Sequence, residues 1–414
     1  MPNAPTIAVE GDSLKFSWAD ISVGARVDRI RLGRDGDLIA EVAWYVDDLT
    51  GKYHHLHGGK LNLSSTRERD SLVRVLSDRT QAQEIDWATV VEQLSELTKQ
   101  HHAEGEPFTT IGGTESTAAH AYLVERLLEE RQITVWYGEG GSLKSYLALA
   151  AALSVQGFYE YLGLGVEQGN VLYLDYETDA EEMNDRTRRL ARGFGMTNLE
   201  YPVIHYRRQT LPIASDVTGL RRFIAQEEIK LVIVDSLGLA CGGEPESAEV
   251  ALRMYAALRQ FGCTVLGINH VAKSQAEVKG KRLPFGSVYH VNIPRSAWEV
   301  RATSETECAT VRVGLYHRKS NNGRLWKPMG FQVTFGPDAT SIKRTEIMDT
   351  PELAEGVSLT EQIAALLRDG AQSVAALTEI LNGPTEATVR KTLNRGKDRR
   401  FVRVLGKWGN KANE

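Results

Sequence analysis

The sequence predicts a three-part protein. A central α/β domain (111–345) has a mostly parallel sheet extended by antiparallel strands. A small α+β domain (1–110) precedes it, and a compact basic unit (357–414) of helices and a hairpin follows. Three observations predict this. Short β-branched runs at 133–137, 171–176, 231–235 and 264–269 alternate with helical spacing, the pattern of a parallel sheet covered on both faces. From 296 onward the chain is strand-rich (296–302, 309–317, 330–335), which suits antiparallel extension. And 414 residues exceed what one core usually holds.

Taken in order, 21–47 alternates apolar and polar residues between Gly/Asp turns, which predicts a β-meander. Residues 67–78 and 87–99 have helical spacing, and the polar stretch 100–106 reads as a linker. His54, His55 and His57 invite a metal reading. Neighbouring strand residues point to opposite faces, however, and no carboxylate or cysteine cluster joins them. A second linker is expected at 346–356.

Composition excludes several classes. A hydrophobic share of 42% and a charged share of 25% fit a soluble globular chain. The start lacks a basic region followed by an apolar one, and the longest apolar stretch, 146–155, is too short to cross a bilayer. A cytoplasmic protein without membrane partners is the expectation. Cys241, Cys263 and Cys308 lie far apart, which argues against a disulfide framework or a zinc knuckle. The net charge of -5 gives no sign of nucleic-acid binding for the chain as a whole, so charge must be read by segment.

The chemistry concentrates after the first central strand. Gly138-Glu-Gly140-Gly141-Ser142-Leu143-Lys144-Ser145 lies between a strand and an apolar helix. A glycine-rich loop running into a helix N-terminus aims backbone N–H groups and the helix dipole at an anion. Lys144 would reach the β- and γ-phosphates of ATP, and Ser145 would ligate Mg²⁺. Leu143 stands where the phosphate-loop pattern expects its last glycine. Two apolar strands end in carboxylates. Asp235 is placed to hold Mg²⁺ through water, and Glu177 to orient an attacking water, since ligands of open α/β sheets bind at the carboxyl edge. His270 ends a further strand, where a polar side chain could sense the γ-phosphate or simply be hydrogen-bonded.

Taken in this order, Gly138–Ser145, Asp175-Tyr-Glu177, 232–236 and Asn269-His270-Val-Ala-Lys273 resemble the RecA-like hexameric ATPases of the RepA plasmid and phage helicase type. The resemblance continues through Pro284-Phe-Gly-Ser287, Pro294-Arg295-Ser-Ala-Trp298 and 317–323, covering roughly 112–335. It implies a RecA-like P-loop fold and a ring, a hexamer in the family's manner. It implies that Lys144 and Ser145 bind phosphate and Mg²⁺, that Glu177 is the catalytic base and that Asp235 is the Mg²⁺-associated acid. It also implies that His270 is the sensor. Arg318 and Lys319 match the basic pair that reaches a neighbouring subunit's γ-phosphate, with Arg295 as a rival. Lys273, Lys279, Lys281 and Arg282 match the loop that tracks single-stranded DNA in the channel, and a surface loop is the other reading.

In the C-terminal unit, a capping box at Ser358–Glu361 opens helix 360–368. Helices 374–381 and 385–394 follow, then a strand at 401–405. Three helices and a hairpin resemble a winged helix. Residues 384–411 hold nine cationic side chains, among them Arg390, Lys391, Arg395 and Lys407, against two carboxylates. The third helix could enter a major groove while Lys407 and Trp408 touch the backbone; docking of a replication partner is the alternative. The function expected is therefore an ATP-driven DNA motor, a ring-forming replicative helicase of a phage, plasmid or other mobile element. A nucleotide-gated DNA-binding regulator, or a defence or recombination ATPase with slow turnover, is the rival.

Overall fold

The computed structural model describes residues 2–10, 13–33, 36–47, 53–80, 85–104, 121–157, 159–196, 201–271, 282–303 and 309–411. The chain divides into two compact units, Met1–Ala118 with Asp216–Glu227, and Ala119–Ser215 with Glu228–Glu414.

In the first unit, β1 (Thr6–Glu10), β2 (Ser13–Trp18), β3 (Val23–Leu32), β4 (Leu38–Asp47) and β5 (Tyr53–Asn62) pair antiparallel in sequence order. Alternation puts Phe16, Trp18, Val27, Val42 and Trp44 on one face. That face packs on Leu72 and Leu76 of α1 (Thr66–Arg79) and on Trp87, Val90 and Leu94 of α2 (Trp87–Glu104). The expected linker at 100–106 is helical as far as Glu104. Its last turn is exposed and polar, so it carries no apolar spacing to read.

The second unit opens with a small hairpin, β6 (Tyr122–Val124) and β7 (Leu128–Glu129). The core then runs β8 (Ile133–Gly138), α3 (Lys144–Gly157), β9 (Asn170–Asp175), α4 (Ala180–Gly193), β10 (His205–Arg208) and, after α5 (Ile213–Gln226), which from Asp216 onward belongs to the first unit, β11 (Ile229–Asp235). It continues through α6 (Leu237–Ala240), α7 (Ala248–Arg259), β12 (Thr264–His270), α8 (Tyr289–Asn292), β13 (Ser296–Ala302), β14 (Thr310–Ser320), β15 (Met329–Phe335) and β16 (Thr340–Thr345). Among the described residues nine strands form one sheet in the order β10-β9-β11-β12-β8-β13-β14-β15-β16. The first six run parallel. The last three extend the sheet antiparallel. Thus β13, expected on the antiparallel side, belongs to the parallel half. The stretch between β12 and β13 is long enough to cross over and re-enter from the same edge. α3 is buried nearly all round, from Leu147 to Val155, because it crosses behind the central strands.

The segment expected as a second linker is also structured. A 3₁₀ turn (Ile347–Asp349) and α9 (Pro351–Ala354) bring Ile347, Leu353 and Val357 onto Tyr316. These apolar residues are few and irregularly spaced, so the sequence shows no period there. Beyond it lie α10 (Leu359–Leu366), α11 (Val374–Leu381), α12 (Glu386–Arg395), β17 (Phe401–Val404) and β18 (Lys407–Asn410). Ser358, Ser373 and Thr385 cap the three helices. Ile363, Leu377, Val389, Leu393, Phe401 and Trp408 form their core. Trp408 is therefore an internal residue, unlike the backbone-touching role expected of it.

No described helix is long and apolar enough to cross a membrane. Cys241 and Cys263 are free thiols, and Cys308 lies outside the described residues.

Candidate nucleotide site

Gly138 closes β8 between His270 on one side and Val300 on the other. A Cβ at this position would come within 2.2 Å of the Val300 carbonyl oxygen, so the strand pairing requires glycine. Gly141 turns the loop with φ of +77°. Gly140 has open space around it. Leu143, the departure from the phosphate-loop pattern, has φ of +61°. It adopts the left-handed conformation a glycine would take, at a cost of about 1–2 kcal/mol. The shape of the loop is kept, and the departure appears as strain.

Lys144, in the first turn of α3, is 4% exposed. Its Nζ donates to the Gly138 and Glu139 carbonyls at 3.1 and 2.7 Å and to Ser142 Oγ at 3.2 Å. Burial lowers its ammonium to about 8, against the opposing pull of Asp235, Glu177 and Glu139. Asp235 ends β11 and is 4% exposed. Burial raises its carboxyl, while hydrogen bonding from Ser145 and Tyr173 favours the charged form. The Tyr173 hydroxyl donates to Oδ2 at 2.7 Å. Among the described residues, Asp235 Oδ1 is buried without a hydrogen-bond partner. A buried acceptor left open beside Ser145 fits a hydrated cation. Mg²⁺ held there by the Ser145 hydroxyl, with Asp235 behind it through water, would neutralise charge on the phosphates.

Glu177 follows β9. Asp175 positions it, accepting the Glu177 and Thr178 amides at 2.9 and 3.1 Å on Oδ1. Glu177 Oε1 lies 3.1 Å from His270 Nε2, across the mouth of the loop. The His270 hydrogen bond lowers the Glu177 carboxyl to about 2, with burial opposing and the Ser236 hydrogen bond adding to the effect. A carboxylate that acidic orients a water through a hydrogen bond more readily than it removes a proton outright. Strand ends thus bring Gly138, Glu177, Asp235 and His270 together at one edge of the sheet, opposite the start of α3. Residues 99–276 match the family model of an AAA domain. The match spans the phosphate loop, both carboxylate strands and His270, and it supports a P-loop ATPase domain in this part of the chain. No curated protein matches the chain.

A cavity of about 200 Å³ at this sheet edge opens between Lys144, Ser145, Glu177, Asp235, His270 and Arg186. Arg186, on α4, went unread in the sequence. Its guanidinium stands 5.3 Å from the Tyr146 ring centroid, and the pair forms a wall suited to a planar base. α4 is fixed in place from its far end. Arg189 donates to the Gly336 and Pro337 carbonyls at 2.7 and 3.1 Å. A Cβ on Gly193 would fall 1.9 Å from the Thr340 carbonyl oxygen. The signal for α4 was present in Asp179, which caps the helix through the Glu181 and Glu182 amides.

Other expected site residues lie elsewhere. Arg318 and Lys319 are on β14, two strands from β8 and outside the cavity. Arg318 Nε donates to the wholly buried Glu299 at 2.7 Å, and Nη2 to the Gly356 carbonyl at 2.9 Å. Glu299 also accepts from Arg301 at 2.6 Å. Lys319 Nζ donates to the Asn292 and Pro294 carbonyls, each at 2.6 Å. Arg295 is exposed. Arg282, expected on a DNA-tracking loop, pairs with Glu139 of the phosphate loop, and its carbonyl accepts from Tyr137 at 3.1 Å. Lys273, Lys279 and Lys281 lie outside the described residues. Arg390, Lys391 and Arg395 are exposed on α12, as is Lys407 at the start of β18.

Proposed function

We propose that this protein is an ATP-hydrolysing DNA motor, a ring-forming replicative helicase of a phage, plasmid or other mobile element. One observation carries the reading. The basic segment between β12 and Arg282 is tied to the nucleotide site at both ends: His270 touches Glu177, and Arg282 pairs with Glu139. A change at the γ-phosphate would therefore be felt at both ends of a cationic loop, which is what pulling a strand by its phosphates requires. In this reading Lys273, Lys279 and Lys281 follow single-stranded DNA in the channel of a hexamer, and Arg282, expected to do the same, anchors their segment to the phosphate loop. A cation of the adjacent subunit (Arg318, Lys319 or the exposed Arg295) completes the site. Residues 357–414 act as a winged-helix-like unit on duplex DNA. ATP and Mg²⁺ are the cofactors, and the cytoplasm is the compartment.

The test is ATP hydrolysis with and without single-stranded DNA. Lys144→Ala should neither bind nor turn over nucleotide. Glu177→Gln should bind ATP yet lose about 100-fold or more in rate. DNA should stimulate the parent strongly; nucleotide binding with no response to any DNA would overturn the motor. One observation favours a second reading, a nucleotide-gated regulator with slow turnover. Arg318 is held by Glu299 and Gly356 of its own chain. That reading expects binding and a shape change with little hydrolysis.

A further inference from the structure

The β17–β18 hairpin ends in a residue that nothing in the fold rewards. Leu405 is 100% exposed and Val404 48% exposed. Leu405 and Gly406 both have positive φ, +47° and +80°. That is the two-residue turn Asn-Gly fills most easily, and leucine there is strained. The leucine gains neither burial nor conformational ease. The hairpin beneath it is firmly held. Phe401 and Trp408 are buried, and Trp408 exchanges backbone hydrogen bonds with Gln372, each 2.8 Å. Arg400 makes a bidentate pair with Glu361 at 2.7 and 2.5 Å. The tip is presented on a rigid base.

Its surroundings are cationic. Arg399, Arg403 and Lys407 are exposed, and among the described residues none of them pairs with a carboxylate. We propose that Leu405 is an apolar wedge that enters a groove of duplex DNA and unstacks base pairs, while Arg399, Arg403 and Lys407 hold the flanking phosphates. The inference rests on reading residues 357–414 as a DNA-binding unit. Apolar side chains inserted at base steps kink duplexes in this way, with cations on the backbone alongside. One leucine and one valine offer too little apolar surface to anchor to a lipid interface. The exposed cations of α12 beside the hairpin suit a groove and its two backbones.

The test uses the full-length chain, without nucleotide, on duplexes carrying 2-aminopurine at successive positions. Parent binding should raise 2-aminopurine fluorescence. Leu405→Asn suits the left-handed turn and should keep the melting temperature and the salt dependence of binding. It should lose the fluorescence rise and about tenfold in duplex affinity. Arg403→Ala with Lys407→Ala should flatten the salt slope by about two while keeping the rise per bound complex. Duplex binding without any fluorescence rise, or a Leu405→Asn variant that matches the parent, would overturn the wedge and leave the DNA-binding reading standing. Failure of the parent to bind duplex at low salt would overturn both. Leu405-dependent binding to phosphatidylserine vesicles in its place would make a membrane the partner.

Discussion

Leu143 separates two things that glycine usually supplies together, space and left-handed backbone. The loop needs only the second, and the leucine adopts it at φ of +61° while its side chain packs on the core. The sequence could show that the expected glycine was missing, but not that its conformation was kept. That depends on how far strand pairing at Gly138 and the start of α3 constrain the loop. Leu143→Gly should therefore change ATP affinity by less than about threefold, because the loop already holds the conformation a glycine would take. Leu143→Val should lose more than about tenfold, because a branched Cβ resists positive φ. Calorimetric titration with ATP measures both. A large gain in the glycine variant would mean that the leucine side chain itself distorts the cradle. Glu177 and Asp235 were readable because each follows or ends an apolar run, and Lys144 because it stands between a glycine-rich loop and an apolar helix. Arg186 was not, since it stands among other charges on the polar side of α4.

Among the elements, β13 and β14 carry a buried charge cluster that the sequence displayed without making obvious. A glutamate inside the apolar run Ser296–Ala302, with Arg301 two residues on, marks a carboxylate facing inward with a cation beside it. Glu299 is wholly buried, and Arg318 supplies its second cation. Removing one partner of such a pair costs about 3–5 kcal/mol, because the other charge stays buried. Arg318→Ala should lower the melting temperature by about 10 °C, and Glu299→Gln in the same chain should restore part of it. Scanning calorimetry on the three proteins decides this. An unchanged melting temperature in Arg318→Ala would mean that Glu299 is satisfied without it. Loss of hydrolysis in Arg318→Ala alone thus assigns no role in a neighbour's site, whereas the exposed Arg295 can be removed without this complication. The central strands were legible because they are buried on both faces. β10 and β16 were not, because they are the polar edges of the sheet: His-Tyr-Arg-Arg and Thr-Ser-Ile-Lys-Arg-Thr contain no apolar run.

For the molecule as a whole, the proposed ring makes a quantitative claim. If a neighbouring cation completes each site, ATP turnover per chain must rise with protein concentration and level off once rings form. Turnover per chain that stays flat across a dilution series spanning assembly, followed by native mass spectrometry, would show that each chain is sufficient alone. The charge of -5 gave no hint of DNA, and only the local excess in 384–411 did, because charge acts over about one Debye length.

The composition of the first compact unit has a consequence for synthesis. It includes Asp216–Glu227, and Arg222 reaches back to Asp28 and Ser13, each at 3.0 Å. Arg222 leaves the ribosome 194 residues after Asp28. At ordinary elongation rates the unit waits on the order of ten seconds for its last helix. During that interval the strands at the chain's beginning are on hand while their final partner has yet to be made. A fragment cut at Ala118 would carry that incomplete state permanently.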